Sequence, residues 1–284
     1  EITPTEPALV RTSEGIVITV LHARDTLRTD APLVQCLTNT VAAALSANVL
    51  LAAGASPAMI DTPEEAGDFA RLAAGVLVNV GTPTAARYEA MRAAVRGATD
   101  MDTPWVLDPV GAGVLGHRTR FVRSLLADAT LAAPTAIRGN ASEIAALGGG
   151  GTGGRGVDTA HRVADALPAA RALAESTGAV VAVSGPVDLI VSPGRETWLT
   201  SGDPLLTRVS GTGCALGAVC AAYLGLGIGK HDAVLAAHAH LGAAAQIAAR
   251  SATGPGGFAA AWLDAVHHLT SAEIADLVSW KDHS

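Results

Sequence analysis

A glycine-rich turn at residues 210–214, Ser-Gly-Thr-Gly-Cys, carries the residues of this sequence best suited to chemistry. It runs directly into an apolar segment, residues 214–226, which is long enough for a buried helix and contains no proline. The first turn of a helix has N–H groups without intrahelical partners and a partial positive charge, and glycines let an anion approach the backbone closely. The turn therefore predicts a site for an oxyanion or a phosphate.

Cys214 lies where the field of that helix terminus is strongest. This position predicts a thiol with a lowered pKa, which serves as a weak base or as a nucleophile. A structural interpretation stands beside it, because cysteine is a small residue that is often buried and glycine-rich turns precede many ordinary helices. Cys220, further along the same predicted helix, is expected to be core. The turn alone leaves both interpretations of Cys214 open.

Polar residues also follow the predicted strands, at the edge of a parallel sheet where ligands bind. Asp108 ends a buried strand and precedes proline, which fits a Mg²⁺ or water-bridging ligand or an ordinary turn. Glu143 forms a helix-capping pattern with Asn140, which is compatible with a metal role. Arg138 is placed to clamp a phosphate or to pair with Glu143. One cleft could receive these residues with Asn39, Met59, Asn79, Gly81, Ser184 and Gly185.

Other familiar site patterns are weak in the sequence. The glycines at 111, 113 and 116 match G-x-G-x-x-G, but Gly116 is not expected to open a buried helix, so a dinucleotide site is only weakly indicated. There is no P-loop and no His-Glu-x-x-His motif. His238 and His240 are expected on different faces of a helix, and metal binding by histidine is not predicted.

Composition restricts the class of protein. Hydrophobic residues make up 49% of the 284 residues but aromatic residues only 3%, and a core of small aliphatic side chains suits helices packed on a parallel sheet. The net charge of −7 argues against nucleic acid or an anionic membrane as a partner. No uninterrupted apolar run reaches the roughly 18 residues of a membrane span.

The chain start and the cysteines favour a cytoplasmic protein. The first residues are polar, with no cationic segment leading into an apolar one, so no signal peptide is predicted. The three cysteines cannot all pair within one chain and are not spaced as a metal knuckle. Reduced thiols in the cytoplasm are therefore expected.

Alternating strand and helix patterns predict one α/β domain over residues 1–284, with a mainly parallel sheet. An amphipathic helix is predicted over residues 13–29, and another starts at Thr62, with Glu65 completing a capping box. Closely spaced strands over residues 179–183, 187–191 and 197–199 predict an antiparallel finish, and helices dominate residues 212–280. The glycine-dense residues 148–154 are either a mobile loop near a ligand or a surface insertion.

Nine segments spread over residues 32–226 resemble the hydroxyethylthiazole kinase family of the ribokinase-like superfamily, and they occur in family order. The combination of Arg-Gly-Asn-x-x-Glu with Gly-Thr-Gly-Cys is highly specific. The matching segments are residues 38–39 with 46–51, 54–59, 79–82, 107–113, 137–143, 156–158, 182–185 and 209–214.

The resemblance implies a ribokinase-like three-layer α/β/α sandwich with a mainly parallel central sheet and no separate lid domain. It implies ATP- and Mg²⁺-dependent phosphorylation of the hydroxyethyl group of 4-methyl-5-(2-hydroxyethyl)thiazole, which gives the thiazole phosphate for thiamine biosynthesis by salvage. Family members are homotrimers with sites between subunits, so a homotrimer is implied here as well.

The resemblance also assigns roles to residues. Cys214 would take or orient the alcohol proton, while the N–H groups of Gly211 and Gly213 stabilise the transferring phosphoryl group; positioning and charge matter more than a strong base in such a reaction. The implied thiazole pocket consists of Asn39, Val41, Met59 and Gly211, the ATP contacts are Arg138 and Ser184, and the Mg²⁺ ligands, direct or through water, are Asp108 and Glu143.

Some positions depart from the family pattern and leave substrate breadth open. Ser184 and Ser210 stand where threonine is common, Thr40 replaces a common tyrosine, and residues 148–154 are longer than usual. The competing interpretations are another ribokinase-like enzyme such as a hydroxymethylpyrimidine kinase or a nucleotide-dependent hydratase-repair enzyme, a transferase with Cys214 as nucleophile and a histidine base, and a nucleotide-binding protein without activity.

Overall fold

The computed structural model describes residues 9–11, 17–19, 22–149 and 163–283. The first two segments, β1 (Leu9–Arg11) and β2 (Val17–Thr19), form an antiparallel hairpin of their own. The other strands form one nine-stranded sheet. These are β3 (Leu33–Leu37), β4 (Ser56–Ala58), β5 (Gly75–Asn79), β6 (Trp105–Asp108), β7 (Ala136–Asn140), β8 (Val180–Ser184), β9 (Asp188–Ser192), β10 (Arg195–Thr200) and β11 (Ser279–His283).

The order across the sheet is β11, β10, β9, β8, β7, β6, β5, β3, β4. Neighbouring strands from β4 to β8 are parallel, so their carboxyl ends meet at one edge. The strands from β8 to β11 pair in the antiparallel direction. This confirms the predicted parallel sheet with an antiparallel finish.

Eleven helices of the described chain connect and cover these strands. They are α1 (Ala23–Asp30), α2 (Ala43–Ala53), α3 (Pro63–Ala70), α4 (Ala85–Asp100), α5 (Gly116–Leu126), α6 (Ala141–Leu147), α7 (Leu167–Thr177), α8 (Thr212–Leu224), α9 (Lys230–Ala249), α10 (Pro255–His268) and α11 (Ser271–Leu277). Short 3-10 helices occupy Val163–Ala166 and Pro204–Arg208.

The core divides into two apolar layers, one on each face of the sheet. Within β5, Leu77 faces the layer that contains α2, α8, α9 and α10, while Val76 and Val78 face the layer of α3 to α7. This alternation follows from the two-residue period of a strand, and both faces are covered, as a parallel sheet requires. The arrangement is the predicted three-layer α/β/α sandwich.

Helix α8 lies across β3, β5 and β6 at the centre of the sheet. Small residues allow this close approach: a methyl group added at Gly217 would lie 3.1 Å from Leu77 Cδ1. Cys220 is fully buried in the same helix, as predicted. The sheet centre thus fixes the direction of α8, whose amino terminus points to the edge where the parallel strands end.

Two local predictions are wrong. The predicted helix over residues 13–29 begins only at Ala23; residues 17–19 form a strand, since β-branched residues dominate Ile16–Val20. At α3 the Thr62 hydroxyl contacts the Glu65 carboxylate and does not accept a backbone N–H, so the capping box is not formed. Gly116 begins the helix α5, which is buried along one face only and starts with exposed residues, so it does not open a buried helix, as expected.

The carboxyl-terminal strand was not predicted from the sequence. Residues 279–283 pair with β10 at the edge of the sheet, after a region predicted as helical. Of the predicted glycine-dense loop, residues 150–154 lie outside the described residues, as do residues 156–158 of the family pattern. Within the described ranges no helix has both the length and the apolar composition needed to cross a bilayer.

Candidate active site

The amino terminus of α8 lies against the loop that follows β3. Gly211 precedes the helix with φ +90°, and a methyl group there would lie 3.1 Å from Ala42 Cβ. The first backbone bond of the helix runs from Ala215 N–H to Gly211 C=O at 2.9 Å. The N–H groups of residues 212–214 therefore precede the helical ladder, which is the arrangement that binds an anion.

Cys214 lies in this first turn, half-buried. Its Sγ accepts a hydrogen bond from Asn39 Nδ2 at 3.1 Å. Burial, together with the charge of Asp108, raises the pKa of Cys214, and the hydrogen bonds from Asn39 and Asn79 and the charge of Arg138 only partly offset this. The predicted lowering of the Cys214 pKa is therefore wrong, because desolvation of the thiolate outweighs the groups that stabilise it.

A chain of amide hydrogen bonds leads from Cys214 into the sheet edge. Asn39 Nδ2 also donates to Asn79 Oδ1 at 3.1 Å, and Asn79 Nδ2 donates to Asp108 Oδ2 at 2.7 Å. Asn39 Oδ1 accepts from Ala42 N–H at 3.0 Å, so the orientation of its amide is fixed. Three successive strand ends, those of β3, β5 and β6, thus position one polar network beneath the helix terminus.

Asp108 is the buried carboxylate of this network, with 1% of its surface exposed. Burial raises the pKa of Asp108 to about 7, and the charge of Arg138 and the hydrogen bond from Asn79 oppose that rise. Its Oδ1 is buried and has no hydrogen-bond partner among the described residues. A carboxylate oxygen without a hydrogen-bond donor is available to bind a cation, or a water molecule that is bound together with a ligand.

Arg138 adds a buried positive charge beside the helix terminus. Its Nη2 donates to Ser184 Oγ at 2.9 Å, and its Nη1 lies 3.8 Å from Asp108 Oδ2. A methyl group at Gly213 would lie 3.1 Å from Nη1, so the guanidinium touches the first turn of α8. Burial lowers the pKa of Arg138, but Asp108 and Glu143 outweigh it, and the pKa rises above its ordinary value. The ion pair is with Asp108, whereas the sequence suggested Glu143.

Glu143 is part of a complete capping box at the start of α6, as predicted. Its Oε2 accepts from Asn140 N–H and its Oε1 accepts from Gly111 N–H, both at 2.9 Å. Each carboxylate oxygen thus already has a backbone donor. Glu143 holds the turn after β6 in place and keeps remaining lone pairs for water.

Two predicted substrate residues lie at the same edge but are exposed. Val41 follows β3 and has 65% of its surface exposed, and Met59 follows β4 and has 36% exposed. The structure brings together Cys214, Asn39, Asp108, Arg138 and Ser184 of the predicted set. Among the described residues, no hydrogen bond or ion pair joins Val41 or Met59 to that polar network.

Asn79 is central to the network, although the sequence pattern predicted only that it lies at a strand end. It connects Asn39 to Asp108 and also accepts Gly81 N–H at 3.0 Å. A fully buried amide at the end of an otherwise apolar strand is the signal that could have identified it, because such a group must have hydrogen-bond partners.

Comparison with known proteins identifies the family of this chain. Residues 25–272 match the profile of the Hydroxyethylthiazole kinase family. The chain belongs to the hydroxyethylthiazole kinase family. A hydroxyethylthiazole kinase of Corynebacterium efficiens is 58% identical over 268 residues, which cover 93% of this chain and 98% of that protein. The resemblance drawn from the sequence motifs is thereby confirmed.

Solved structures confirm the fold of this hydroxyethylthiazole kinase family member. A hydroxyethylthiazole kinase protein from Pyrococcus horikoshii has a TM-score of 0.84 and 31% identity, over 93% of this chain and 99% of that chain. A ribokinase-like superfamily protein from Enterococcus faecalis, at 13% identity, has a TM-score of 0.61 over 87% and 95% of the two chains. The latter likeness concerns the fold alone.

Proposed function

We propose that this chain transfers the γ-phosphoryl group of ATP to the hydroxyethyl group of 4-methyl-5-(2-hydroxyethyl)thiazole, giving the thiazole phosphate for thiamine salvage. The observation that carries the proposal is the contact of the buried Arg138 guanidinium with the first turn of α8. Backbone N–H groups and a fixed cation converge there, which is the environment that phosphoryl transfer needs. The identity of the alcohol substrate is inferred from the relatives, which are named hydroxyethylthiazole kinases.

In this reaction the alcohol oxygen forms a bond to the γ-phosphorus, the bond from that phosphorus to the ADP oxygen breaks, and the alcohol proton passes to an oxygen of the transferred phosphoryl group. The N–H groups of Gly211 and Gly213 and the Arg138 guanidinium stabilise the charge on the transferring group. Because the pKa of Cys214 is raised, its thiol is protonated at neutral pH. We therefore assign Cys214 and Asn39 to orienting the alcohol, not to strong base catalysis.

The residues present fit Mg²⁺ bound mainly through ATP. Asp108 offers one buried oxygen without a donor, and Glu143 can act through water. No cluster of three or more His, Cys, Asp or Glu side chains suited to a metal occurs in the part of the chain that the structure describes. Such a site suits Mg²⁺, which commonly uses one or two carboxylates and substrate phosphates. When bound, Mg²⁺ neutralises charge on the phosphate oxygens.

The thiazole pocket is proposed to consist of Asn39, Val41, Met59 and Gly211, with Arg138 and Ser184 contacting ATP. Val41 and Met59 are large apolar side chains at the site edge with 65% and 36% of their surface exposed, and cover by a second copy would bury them. This supports the proposed homotrimer with sites between subunits. A cytoplasmic location is proposed because all three thiols are free.

The test is ADP release from MgATP, with and without the thiazole alcohol and with hydroxymethylpyrimidine as the comparison substrate. Turnover that needs both the thiazole and Mg²⁺ is expected. Turnover with the pyrimidine alone would keep the fold and change the substrate to that of the rival kinase. No turnover with either alcohol would leave the nucleophile and binding-protein interpretations, of which only the first predicts a covalent adduct at Cys214.

The structure disfavours a covalent role for Cys214. Within the described residues the groups that hydrogen-bond to its thiol are the amides of Asn39 and Asn79, not an imidazole. A nucleophilic cysteine needs a general base or a lowered pKa, and the Cys214 pKa is raised.

Replacing Cys214 by serine is expected to lower turnover by less than about tenfold, with the fold intact. The serine hydroxyl group also accepts the hydrogen bond from Asn39, and the substitution removes no catalytic base, because Cys214 only orients the alcohol. Steady-state kinetics with ADP release will measure this. Cys214→Ala, which removes the acceptor, is the paired variant and is expected to lose more. Loss of all activity in Cys214→Ser would contradict the orienting role.

A further inference from the structure

A buried histidine outside the polar network is paired with a carboxylate on the hairpin formed by β8 and β9. His238, in the middle of α9, has 1% of its surface exposed. Its Nδ1 lies 2.7 Å from Asp188 Oδ2, at the start of β9. Because an ionised carboxylate only accepts hydrogen bonds, Nδ1 carries the proton and donates. Neither His238 nor Asp188 has a role in the proposed reaction as described so far.

Asp188 uses its other oxygen to hold the turn between β8 and β9. Its Oδ1 accepts a hydrogen bond from Gly185 N–H at 2.9 Å. The last paired residues of the hairpin are Val183 and Leu189, so this bond closes the turn beyond the end of the ladder. The turn is also tightly packed, because a methyl group at Gly185 would lie 2.3 Å from Val163 Cγ2. Asp188 thus fixes where β8 ends.

The residue immediately before that glycine is Ser184, the hydrogen-bond partner of Arg138. Ser184 Oγ accepts from Arg138 Nη2 at 2.9 Å. The Arg138 side chain has 11% of its surface exposed, and its buried Nε has no partner among the described residues, so Ser184 and Asp108 are the groups that orient its guanidinium. A displacement of the turn therefore changes the position of the cation.

We propose that His238 and Asp188 form a positioning pair, which holds the turn at residues 184–188 so that Ser184 and Arg138 meet the phosphates of ATP. This proposal rests on the proposed kinase function. His238 does not touch the substrate; it fixes the Asp188 carboxylate, Asp188 fixes Gly185, and the turn fixes Ser184. The sequence of contacts is continuous, and each step is one hydrogen bond or one peptide unit.

The way in which His238 is bonded supports a positioning role. Its Nε2 is buried and has no hydrogen-bond partner within the described ranges, so the bond to Asp188 is the one side-chain hydrogen bond of the ring that those ranges show. The nearby His240 differs, because its Nδ1 bonds Tyr223 Oη at 2.9 Å and its Nε2 bonds Val266 C=O at 3.0 Å. His240 binds helices together on the far side of α9, whereas His238 faces the hairpin.

The test measures ATP affinity directly, by calorimetry with no alcohol present, in His238→Ala, Asp188→Ala and the double variant. Loss of one hydrogen bond to a charged group corresponds to roughly tenfold, so Kd for ATP is expected to rise about tenfold in each single variant. The double variant is expected to be no worse than either single one, since both remove the same connection. KM for the alcohol is expected to stay within about twofold in each variant, because the connection ends at the ATP contacts.

Two further variants separate positioning from simple stability. His238→Asn places an amide nitrogen on Cγ, where the histidine has Nδ1, so it is expected to restore ATP affinity to within about threefold. His240→Ala is the matched control from the same helix; it is expected to lower the melting temperature and leave Kd for ATP unchanged. Asp188 keeps 15% of its side chain exposed whereas that of His238 is fully buried, so Asp188→Ala is the variant that reports the effect if His238→Ala does not fold.

Three results would overturn the positioning pair: unchanged ATP affinity in both single variants, failure of His238→Asn to rescue, or an equal rise in KM for ATP and for the alcohol. In each of these the proposed function survives if the natural chain releases ADP from MgATP only when the thiazole alcohol is present. If the natural chain binds no ATP at all, the kinase proposal fails and the positioning pair fails with it.

Discussion

Replacing Arg138 by alanine is expected to lower kcat/KM for ATP by about 10³-fold. The side chain has 11% of its surface exposed, and its guanidinium lies against Gly213 in the first turn of α8. Its removal takes away two kinds of support at once: the positive charge beside the phosphates and the hydrogen bond that Arg138 donates to Ser184. The charge that opposes the raised pKa of Asp108 is lost as well.

Steady-state kinetics over a range of ATP concentrations will measure the effect of Arg138→Ala. Arg138→Lys keeps the charge but not the planar guanidinium group, and its kcat/KM for ATP is expected to lie between those of the natural chain and Arg138→Ala. Arg71→Ala is the control, because Arg71 forms exposed ion pairs with Asp68 and Asp100 on α3 and α4, far from the network. Such pairs contribute about 1 kcal/mol or less. A kcat/KM in Arg138→Ala close to that of Arg71→Ala would exclude Arg138 from the site.

The meeting of the site residues could be predicted from the sequence because strand ends obey a simple geometric rule. Each of Asn79, Asp108 and Ser184 is the last residue of a parallel or adjoining strand, and the carboxyl ends of parallel strands share one edge. Burial on both faces makes these strands continuous apolar runs, so the first polar residue marks the end. Periodicity and polarity were sufficient for this part of the site.

The pKa of Cys214 could not be predicted in the same way. The sequence shows the helix terminus, whose field favours a thiolate, but not the burial of the thiol or the charge of Asp108 beside it. Asp108 is more than 100 positions away in the chain. Both effects arise only from tertiary packing, and both oppose the thiolate.

Long-range pairs were invisible for the same reason. The hydrogen bond of His238 to Asp188 joins residues 50 positions apart, and β11 forms only because β10 offers it a free edge. The wrong helix at residues 13–29 has a different cause. There, apolar residues at a helical spacing among charged ones masked the β-branched residues at 16–20, of which Val17–Thr19 pairs with β1.

A second large effect is expected for Gly213→Ala, which should lower kcat/KM by about 100-fold while the melting temperature stays constant or rises. The added methyl group would lie 3.1 Å from Arg138 Nη1 and 3.2 Å from Nη2, so the guanidinium must shift away from the helix terminus. Gly213 is not among the glycines with a positive φ, and alanine therefore fits its backbone. Alanine also favours a helix by about 1 kcal/mol over glycine.

Gly213→Ala is informative because kcat/KM is expected to fall while the melting temperature does not. A loss of activity through unfolding would lower the melting temperature, whereas displacement of Arg138 would not. Gly256→Ala is the matched control, since Gly256 also lies in the first turn of a helix, α10, and a methyl group there meets nothing within 4 Å. It is expected to keep full kcat/KM. If Gly213→Ala behaved like Gly256→Ala in kinetics and in melting, close contact between Arg138 and the α8 terminus would not be needed for turnover.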